Sequence, residues 1–332
     1  MRARPFLRWI GGKGRNIEQF VPFLPPQVAD MFYVEPFVGS GAMLFRLSPI
    51  HALISDVNLH LINTYNAIKT RCPFLIEALE CHDSKDSEPH YYEQRDAYNA
   101  FEYDVDVDIS NLFAQSDAGK NTVVMANDYL VSVDQAARFL YLNARVFNGL
   151  YRENQKGEFN APYAKDLKGL KKICVKPLYH AVSRFLREHD VTIEHCSFER
   201  VPVLITNLVK PAYQGRIFYF LDPPYYPITE TSQFTSYTSC IWDDARFEQF
   251  KSFVDWIDDC GDLFLVCNHA VPFIKDLFKK KGYRQYEHDV SRSISCKAND
   301  RKPAREIVVT NYPVNRLRRS SLEDFRLPVD HL

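Results

Sequence analysis

Ile217-Phe218-Tyr219-Phe220-Leu221-Asp222-Pro223-Pro224-Tyr225 is the stretch whose reading decides how this chain folds. Five β-branched, aliphatic or aromatic residues in a row read as a strand apolar on both faces, as in a parallel sheet covered by helices. The run stops at an acid, which places the Asp222 carboxylate at the carboxyl end of the strand, where open α/β sheets bind ligands. Two consecutive prolines stiffen the backbone and remove two N–H groups, leaving carbonyls without competing donors nearby. A carboxylate and the Pro223 carbonyl then make two acceptors for an exocyclic amine, a poor nucleophile because its lone pair is delocalised into the ring. Holding both amino hydrogens turns the nitrogen toward an electrophilic methyl; orientation and electrostatics suffice, without a strong base. Tyr225 offers a ring on which a base can stack. The plain competing reading is a strand-end Asp-Pro turn.

Working outward, similar runs occur at Phe32-Tyr33-Val34-Glu35, at Ala52-Leu53-Ile54-Ser55 ending in Asp56, at Leu263-Phe264-Leu265-Val266-Cys267 and at Ile307-Val308-Val309-Thr310. Runs of this kind separated by helical stretches predict an α/β sheet covered on both sides. The first leads into Glu35-Pro36-Phe37-Val38-Gly39-Ser40-Gly41, a glycine turn ahead of a helix around Ala42 to Leu47. Glycines there let backbone approach a cofactor closely, although the third glycine of the dinucleotide fingerprint is missing, which argues against a nicotinamide enzyme. Asp56 ends the next strand, where a carboxylate can accept the ribose hydroxyls of an adenosine or cap the helix that follows. Near the start, Arg8-Trp9-Ile10-Gly11-Gly12-Lys13-Gly14 is no Walker A loop, since no Ser or Thr follows Lys13. A lysine among glycine amides can still grip a carboxylate, such as that at the methionine end of AdoMet, and Trp9 offers an aromatic face.

From Leu59 to about Glu199 helical patterns dominate and no continuous apolar strand is seen. The best-marked helix starts at Ser132, which with Gln135 fits a capping box, runs through Phe147 and stops at Gly149. Residues 103–127 read as an acidic, then polar, inserted loop, and residues after Pro313 as a loosely attached tail. The net charge of −1, from 41 basic and 42 acidic residues, argues weakly against a nucleic-acid partner. The distribution counters this, because basic residues gather at 2–15, 138–176 and 279–305 and acids at 80–108 and 243–262, as suits one phosphate-facing side. Arg138, Arg145 and Arg152 lie seven apart, which a solvated basic stripe explains as well as DNA contact. Eight cysteines without zinc spacing read as free thiols in a reducing compartment, with no metal expected. There is neither a signal peptide nor a stretch long and apolar enough for a membrane.

Taken together these residues resemble the Dam-type adenine-N6 DNA methyltransferases, including restriction-associated members that modify GATC. The resemblance spans about Phe6 to Tyr312. It rests on Phe6-Leu7-Arg8-Trp9 with Lys13, Glu35-Pro36-Phe37-Val38-Gly39, Asp56-Val57-Asn58, Phe147-Asn148-Gly149-Leu150-Tyr151-Arg152, Phe159-Asn160 with Pro162-Tyr163, Asp222-Pro223-Pro224-Tyr225 and Phe234-Thr235-Ser236-Tyr237. It implies a Rossmann-like AdoMet-dependent methyltransferase sheet from residues 1–58 and 198–315, an inserted, mainly helical target-recognition domain at 59–197, and a tail at 316–332. It implies that Trp9, Gly11, Lys13, Glu35, Phe37, Gly39, Asp56 and Asp222 hold AdoMet and that Asp222, Pro223, Pro224 and Tyr225 form the target-base pocket. Arg8, Phe147, Asn148, Leu150, Arg152 and Pro162 match DNA-contacting positions, with Arg152 reading a guanine edge and Phe147 wedging the gap left by a flipped adenine. The chain departs from some members at Arg8 (Lys there), Phe147 (Tyr there) and Ser197 (Asp there), and its 103–127 insertion has no counterpart. The expectation is a monomeric, cytoplasmic, nucleoid-associated enzyme acting on double-stranded DNA, with a cognate restriction endonuclease acting separately or an orphan marking role. Methylation of cytosine N4 or of RNA, and a DNA-binding protein that merely keeps the fold, stay open at this point.

Overall fold

The structure, a computed structural model, describes residues 1–9, 11–103, 131–147, 151–154, 156–165, 172–228, 242–279, 281–290 and 304–314. Among these, seven strands form one sheet: β1 (Phe32–Glu35), β2 (Ala52–Asp56), β3 (Val191–His195), β4 (Ile217–Leu221), β5 (Leu263–His269), β6 (Arg284–Val290) and β7 (Ala304–Thr310). Their order is β3-β2-β1-β4-β5-β7-β6, parallel from β3 through β5 and antiparallel at β7 and β6. The chain leaves β1 toward β2 on one side and returns as β4 on the other, so the topological switch point lies between β1 and β4. A crevice opens beyond the carboxyl ends of strands at such a point.

Strand side chains alternate between two apolar layers, as the two-residue period of a strand requires. Tyr33, Ala52, Ile54, Phe218, Phe220, Leu265 and Cys267 face α1 (Ala42–Leu47), α2 (Leu59–Lys85), α4 (Val133–Arg145) and α5 (Lys176–Glu188). Phe32, Val34, Leu53, Tyr219, Leu221, Phe264 and Val266 face the layer that includes α6 (Val201–Leu204), α7 (Asp244–Asp259) and α8 (Pro272–Lys279). The Rossmann-like sheet covered on both sides is therefore as the sequence predicts.

Two strands escape the sequence reading. β3 lies within the stretch taken as helical, yet it pairs in parallel with β2 from Ala52↔Val191 to Asp56↔His195. Its Val-Thr-Ile-Glu-His run alternates instead of being continuously apolar, because an outer strand with one neighbour needs less apolar surface. The same holds for the polar edge strand β6.

Helices end and bend for identifiable reasons. α2 carries Asn58 as its cap, with Oδ1 accepting from Leu61 N at 2.9 Å. It kinks at Arg71 (φ −129°), two residues before Pro73. Pro73 has no N–H for the carbonyl of Lys69, which instead accepts from the Ser183 hydroxyl at 3.5 Å. Ser132 caps α4 as expected, but Gln135 does not close the box: its amide donates to Tyr98 O at 3.1 Å, while Ser132 N donates to Asn63 Oδ1. α4 also ends four residues before the expected stop at Gly149. Its last residue is Arg145, and Val146 turns extended to pair with Tyr163.

The supposed basic stripe on α4 is turned inward, with Arg145 buried and Arg138 half-buried. Arg145 is 6% exposed and its Nε donates to Asp86 Oδ2 at 2.6 Å, on the connection from α2 to α3 (Glu88–Asn99). Arg138 bonds Gln94 on α3. Lys281, in the third basic zone, is bound to Asp259 at 2.6 Å. The tail, Phe234 to Tyr237 and most of residues 103–127 lie outside the described residues.

Candidate active site

Three acids end three neighbouring strands: Asp56 ends β2, Glu35 ends β1, and Asp222 follows β4. Glu35 is 3% exposed and accepts from the Tyr33 hydroxyl at 2.8 Å, and burial pushes its carboxyl well above the ordinary range. It lies beneath the crevice and is already bonded from within. Asp56 is spread over the glycine turn, its Oδ2 accepting from Gly39 N at 3.1 Å and its Oδ1 from Asn58 N at 3.0 Å. Burial outweighs those bonds and raises its pKa to about 6. A carboxylate offers about four lone-pair sites, and with the Val57 amide bonding it as well, one remains for a hydroxyl donor. Val57 beside it is 40% exposed, an apolar face at the same edge. An acceptor next to an apolar ledge fits the ribose and ring of an adenosine.

The glycines of the turn are demanded by their neighbours. Gly39 has φ +46°, and a Cβ there would stand 2.6 Å from Trp9 Cδ1. Gly41 has φ +66°, and its Cβ would stand 2.7 Å from the Tyr65 hydroxyl, which itself donates to Gly39 O at 3.1 Å. Both positions exclude a side chain by conformation and by space. Phe37 points into a ring cluster with Phe198 and Trp242 at 5.8 and 5.7 Å between centroids.

Lys13 reaches across the switch point. Its Nζ lies 3.0 Å from Asp222 Oδ1 and 4.3 Å above the Tyr225 ring, and 3.5 Å from Gly11 O. Burial pulls the ammonium down, but Asp222, with Cys267 and Glu306 behind it, overcomes this and raises its pKa, so the lysine is held charged. Asp222 is pushed up by burial, with Lys13 pulling back. An ammonium facing a carboxylate over an aromatic ring occupies the notch that a planar amine stacked on Tyr225 would use.

The segment after Asp222 is pinned to the end of β5. Tyr226 N donates to Asn268 Oδ1 at 2.9 Å, and His269 Nδ1 donates to Tyr226 O at 2.7 Å. Pro223 is buried and Pro224 exposed. The Tyr225 hydroxyl donates to Glu306 Oε2 at 3.0 Å, and the His269 ring meets it edge-on at 4.8 Å.

A second group of the residues expected to contact DNA lies on a hairpin after α4. Val146 pairs with Tyr163 and Glu153 with Phe159, so the exposed Phe147 and Pro162 are neighbours, joined by Phe147 N to Pro162 O at 3.0 Å. Arg152 is exposed on the same hairpin and its Nε donates to Asn160 Oδ1 at 2.9 Å. Asn148 and Leu150 lie outside the described residues. The hairpin is tied to the crevice by Tyr151, whose ring stacks on Trp9 at 5.4 Å. Next to Trp9, the backbone N–H and C=O of Arg8 are both held by the buried Asn143 side chain of α4, at 2.9 and 2.8 Å. The exposed Arg8 and Arg152 thus flank one aromatic stack. Among the described residues no group of three or more His, Cys, Asp or Glu side chains is disposed to hold a metal, and no helix is long and apolar enough to cross a membrane.

The family of D12 class N6 adenine-specific DNA methyltransferases matches residues 9–294. The chain belongs to this family. Membership makes it an adenine-specific DNA methyltransferase, with AdoMet as the methyl donor that the family's chemistry implies. This sets aside the cytosine-N4, RNA and purely DNA-binding readings. The Type II methyltransferase M1.LlaDCHI of Lactococcus lactis subsp. cremoris is 33% identical over 312 residues, covering 94% of this chain and 96% of that protein. The Type II methyltransferase M.MjaIII of Methanocaldococcus jannaschii is 30% identical over 94% of this chain and 100% of its own length. The DNA adenine methylase of Escherichia coli K12 is 25% identical over 94% and 96%.

Sequence reasoning did not single out four residues that contact the candidate site residues: Asn143, Tyr151, His269 and Glu306. Tyr151 sat inside a quoted motif without being given a role, and the other three carry no local signal.

Proposed function

We propose that this methyltransferase transfers a methyl group to N6 of a flipped adenine within GATC in duplex DNA, with Asp222 and the Pro223 carbonyl holding the amine. The observation that carries the proposal is the Asp222–Lys13–Tyr225 arrangement at the switch point between β1 and β4. The Lys13 ammonium, paired with Asp222 over the Tyr225 ring, marks where a flat amine finds a carboxylate acceptor and a stacking surface together. When bound, AdoMet supplies an electrophilic methyl on a sulfonium that leaves as a neutral thioether. The chain's own residues do the rest. Asp222 accepts from the amine and steadies the positive charge that grows on nitrogen, and the proton the methylated nitrogen then sheds passes to solvent. Tyr225 holds the base plane. Lys13 withdraws from the notch along its flexible stem, and its remaining donors suit the donor's carboxylate. Asp56 takes a ribose hydroxyl, and Trp9, Gly11, Phe37 and Gly39 shape the rest of the cofactor pocket, with Glu35 supporting it from below.

On the DNA side, we assign Arg152 to a guanine edge, Phe147 to the gap in the stack, and Arg8, Asn148, Leu150 and Pro162 to contacts around them, on a recognition unit within 59–197. The two Type II methyltransferases are 33% and 30% identical and the E. coli methylase 25%, which supports host protection beside a separately acting restriction endonuclease. We place the enzyme in the cytoplasm, at the nucleoid, as a monomer.

Asp222→Ala tests the core of this reading. Loss of one preorganised acceptor at the reacting group costs roughly 10²–10³-fold or more in rate. Tritiated-methyl transfer to a GATC duplex falls by at least that factor while duplex affinity stays within about twofold. Undiminished transfer would overturn the assignment.

A further inference from the structure

β7 runs antiparallel to β5, so its first residues, instead of its last, arrive at the carboxyl edge of the sheet. The register sets Glu306 opposite His269, at the end of β5 and beside the segment that follows β4. There Glu306 Oε2 accepts the Tyr225 hydroxyl at 3.0 Å across 81 residues of sequence. Glu306 lies beyond the family match, which ends at residue 294.

Pro223 and Pro224 stiffen the backbone as far as Tyr225 but leave the tyrosine side chain to turn about its own bonds. A small rotation there displaces the far end of the ring most. The hydroxyl is therefore where a single contact best fixes the swing of the ring about its first side-chain bond, and so where the ring stands in the notch. The other contacts to the ring, the edge of His269 at 4.8 Å and the Lys13 ammonium at 4.3 Å, oppose rotation of its plane but do not hold its far end.

We propose that Glu306 is a positioning residue for methyl transfer: by anchoring the Tyr225 phenol it sets where the ring on which the target adenine stacks stands, and so the reach of the amine to Asp222. The inference rests on the reading of Asp222 to Tyr225 as the amine pocket. A neutral amide also accepts a hydroxyl hydrogen, so the function needs an acceptor at this place and no charge.

The test is a double-mutant cycle read as kcat and KM on a GATC duplex, with far-UV circular dichroism confirming the fold of each variant. Glu306→Leu lowers kcat about 10- to 100-fold, the cost of a misplaced reactant. KM values for AdoMet and duplex stay within about twofold, since substrate still enters. Glu306→Gln, close in shape and still an acceptor, restores kcat to within about threefold of the parent. In a Tyr225→Phe background, Glu306→Leu has no further effect, because the bond it would remove is already gone. Multiplying effects in that background, a Gln variant as slow as the Leu variant, or a loss confined to KM would each overturn the proposal. Transfer surviving Asp222→Ala would instead remove the pocket reading beneath it, so the two failures are distinguishable.

Discussion

Binding of the methyl donor should titrate with Asp56, and the structure gives the size of the effect. The Asp56 carboxyl is half-buried and its pKa is about 6, raised by burial against the pull of the Asn58, Gly39 and Val57 amides. A ribose hydroxyl donates to the ionised form, so only the ionised fraction of the protein is competent, and the apparent Kd is the intrinsic Kd divided by that fraction. At pH 5 that fraction is about one tenth, so affinity is roughly tenfold below its plateau, which is reached near pH 8. The effect on stability has the opposite sense. The folded-state pKa is above the unfolded one, so this group's contribution is fully present below about pH 4 and is lost as pH rises through about 6. A shift of about two units corresponds to about 3 kcal/mol at neutral pH, which a donated hydroxyl partly offsets. Calorimetric titration with S-adenosylhomocysteine, which carries the same ribose and a neutral sulfur, reads the dependence from pH 5 to 8. Asp56→Asn flattens it and weakens binding at pH 8. A parent Kd that does not change over this range, or a dependence that survives Asp56→Asn, refutes the reasoning.

Three further expectations concern the turn, the hairpin and the frame. Gly39→Ala puts a methyl 2.6 Å from Trp9 Cδ1 at a φ of +46°. It costs about 1–2 kcal/mol in thermal unfolding and at least about tenfold in S-adenosylhomocysteine affinity; wild-type values for both would dismiss the close-approach account. Arg152→Ala loses about 1–3 kcal/mol of discrimination at one base pair and leaves the others intact. Methylation rates on duplexes with single base-pair changes measure it, and full discrimination at every position speaks against a reading role. Asp86→Ala leaves the Arg145 guanidinium buried, with side chains only 7% and 18% exposed in the original pair. It destabilises by about 3–5 kcal/mol in urea unfolding, and adding Arg145→Met recovers most of that; an additive pair of losses contradicts the buried-pair account.

What the sequence made legible followed from burial. β1 and β4 were read residue for residue because they are apolar on both faces, and such runs have few other ways to be satisfied. β3 and β6 were invisible because outer strands share their side chains with solvent and alternate or turn polar. Helix α4 was found from its cap but read too long. Phe147 kept the apolar spacing although Val146 had already left the helix to pair with Tyr163. Arg138 and Arg145 show the same limit: their spacing gives a common face, and only packing says that the face is turned inward against α3 and Asp86.

The site divides along a related line. Several residues proposed to touch the reactants, among them Asp56, Asp222 and Gly39, lie where strands end, and a strand end marked by Asp-Pro-Pro or by glycines is a local pattern. Residues that hold those in place come from elsewhere in the chain: Asn143 is 135 residues from the Arg8 backbone it grips, and Glu306 is 81 residues from Tyr225. No spacing rule connects such pairs, because their meeting is fixed by strand order and direction. Glu306 is the clearest instance. Were β7 parallel to β5, the start of the strand would lie at the amino edge, a strand's length from the chemistry; reversed, the same residue stands against the proposed base platform. An acid just inside an antiparallel strand next to the catalytic edge is therefore the kind of residue that a parallel reading of an α/β sheet puts at the wrong end.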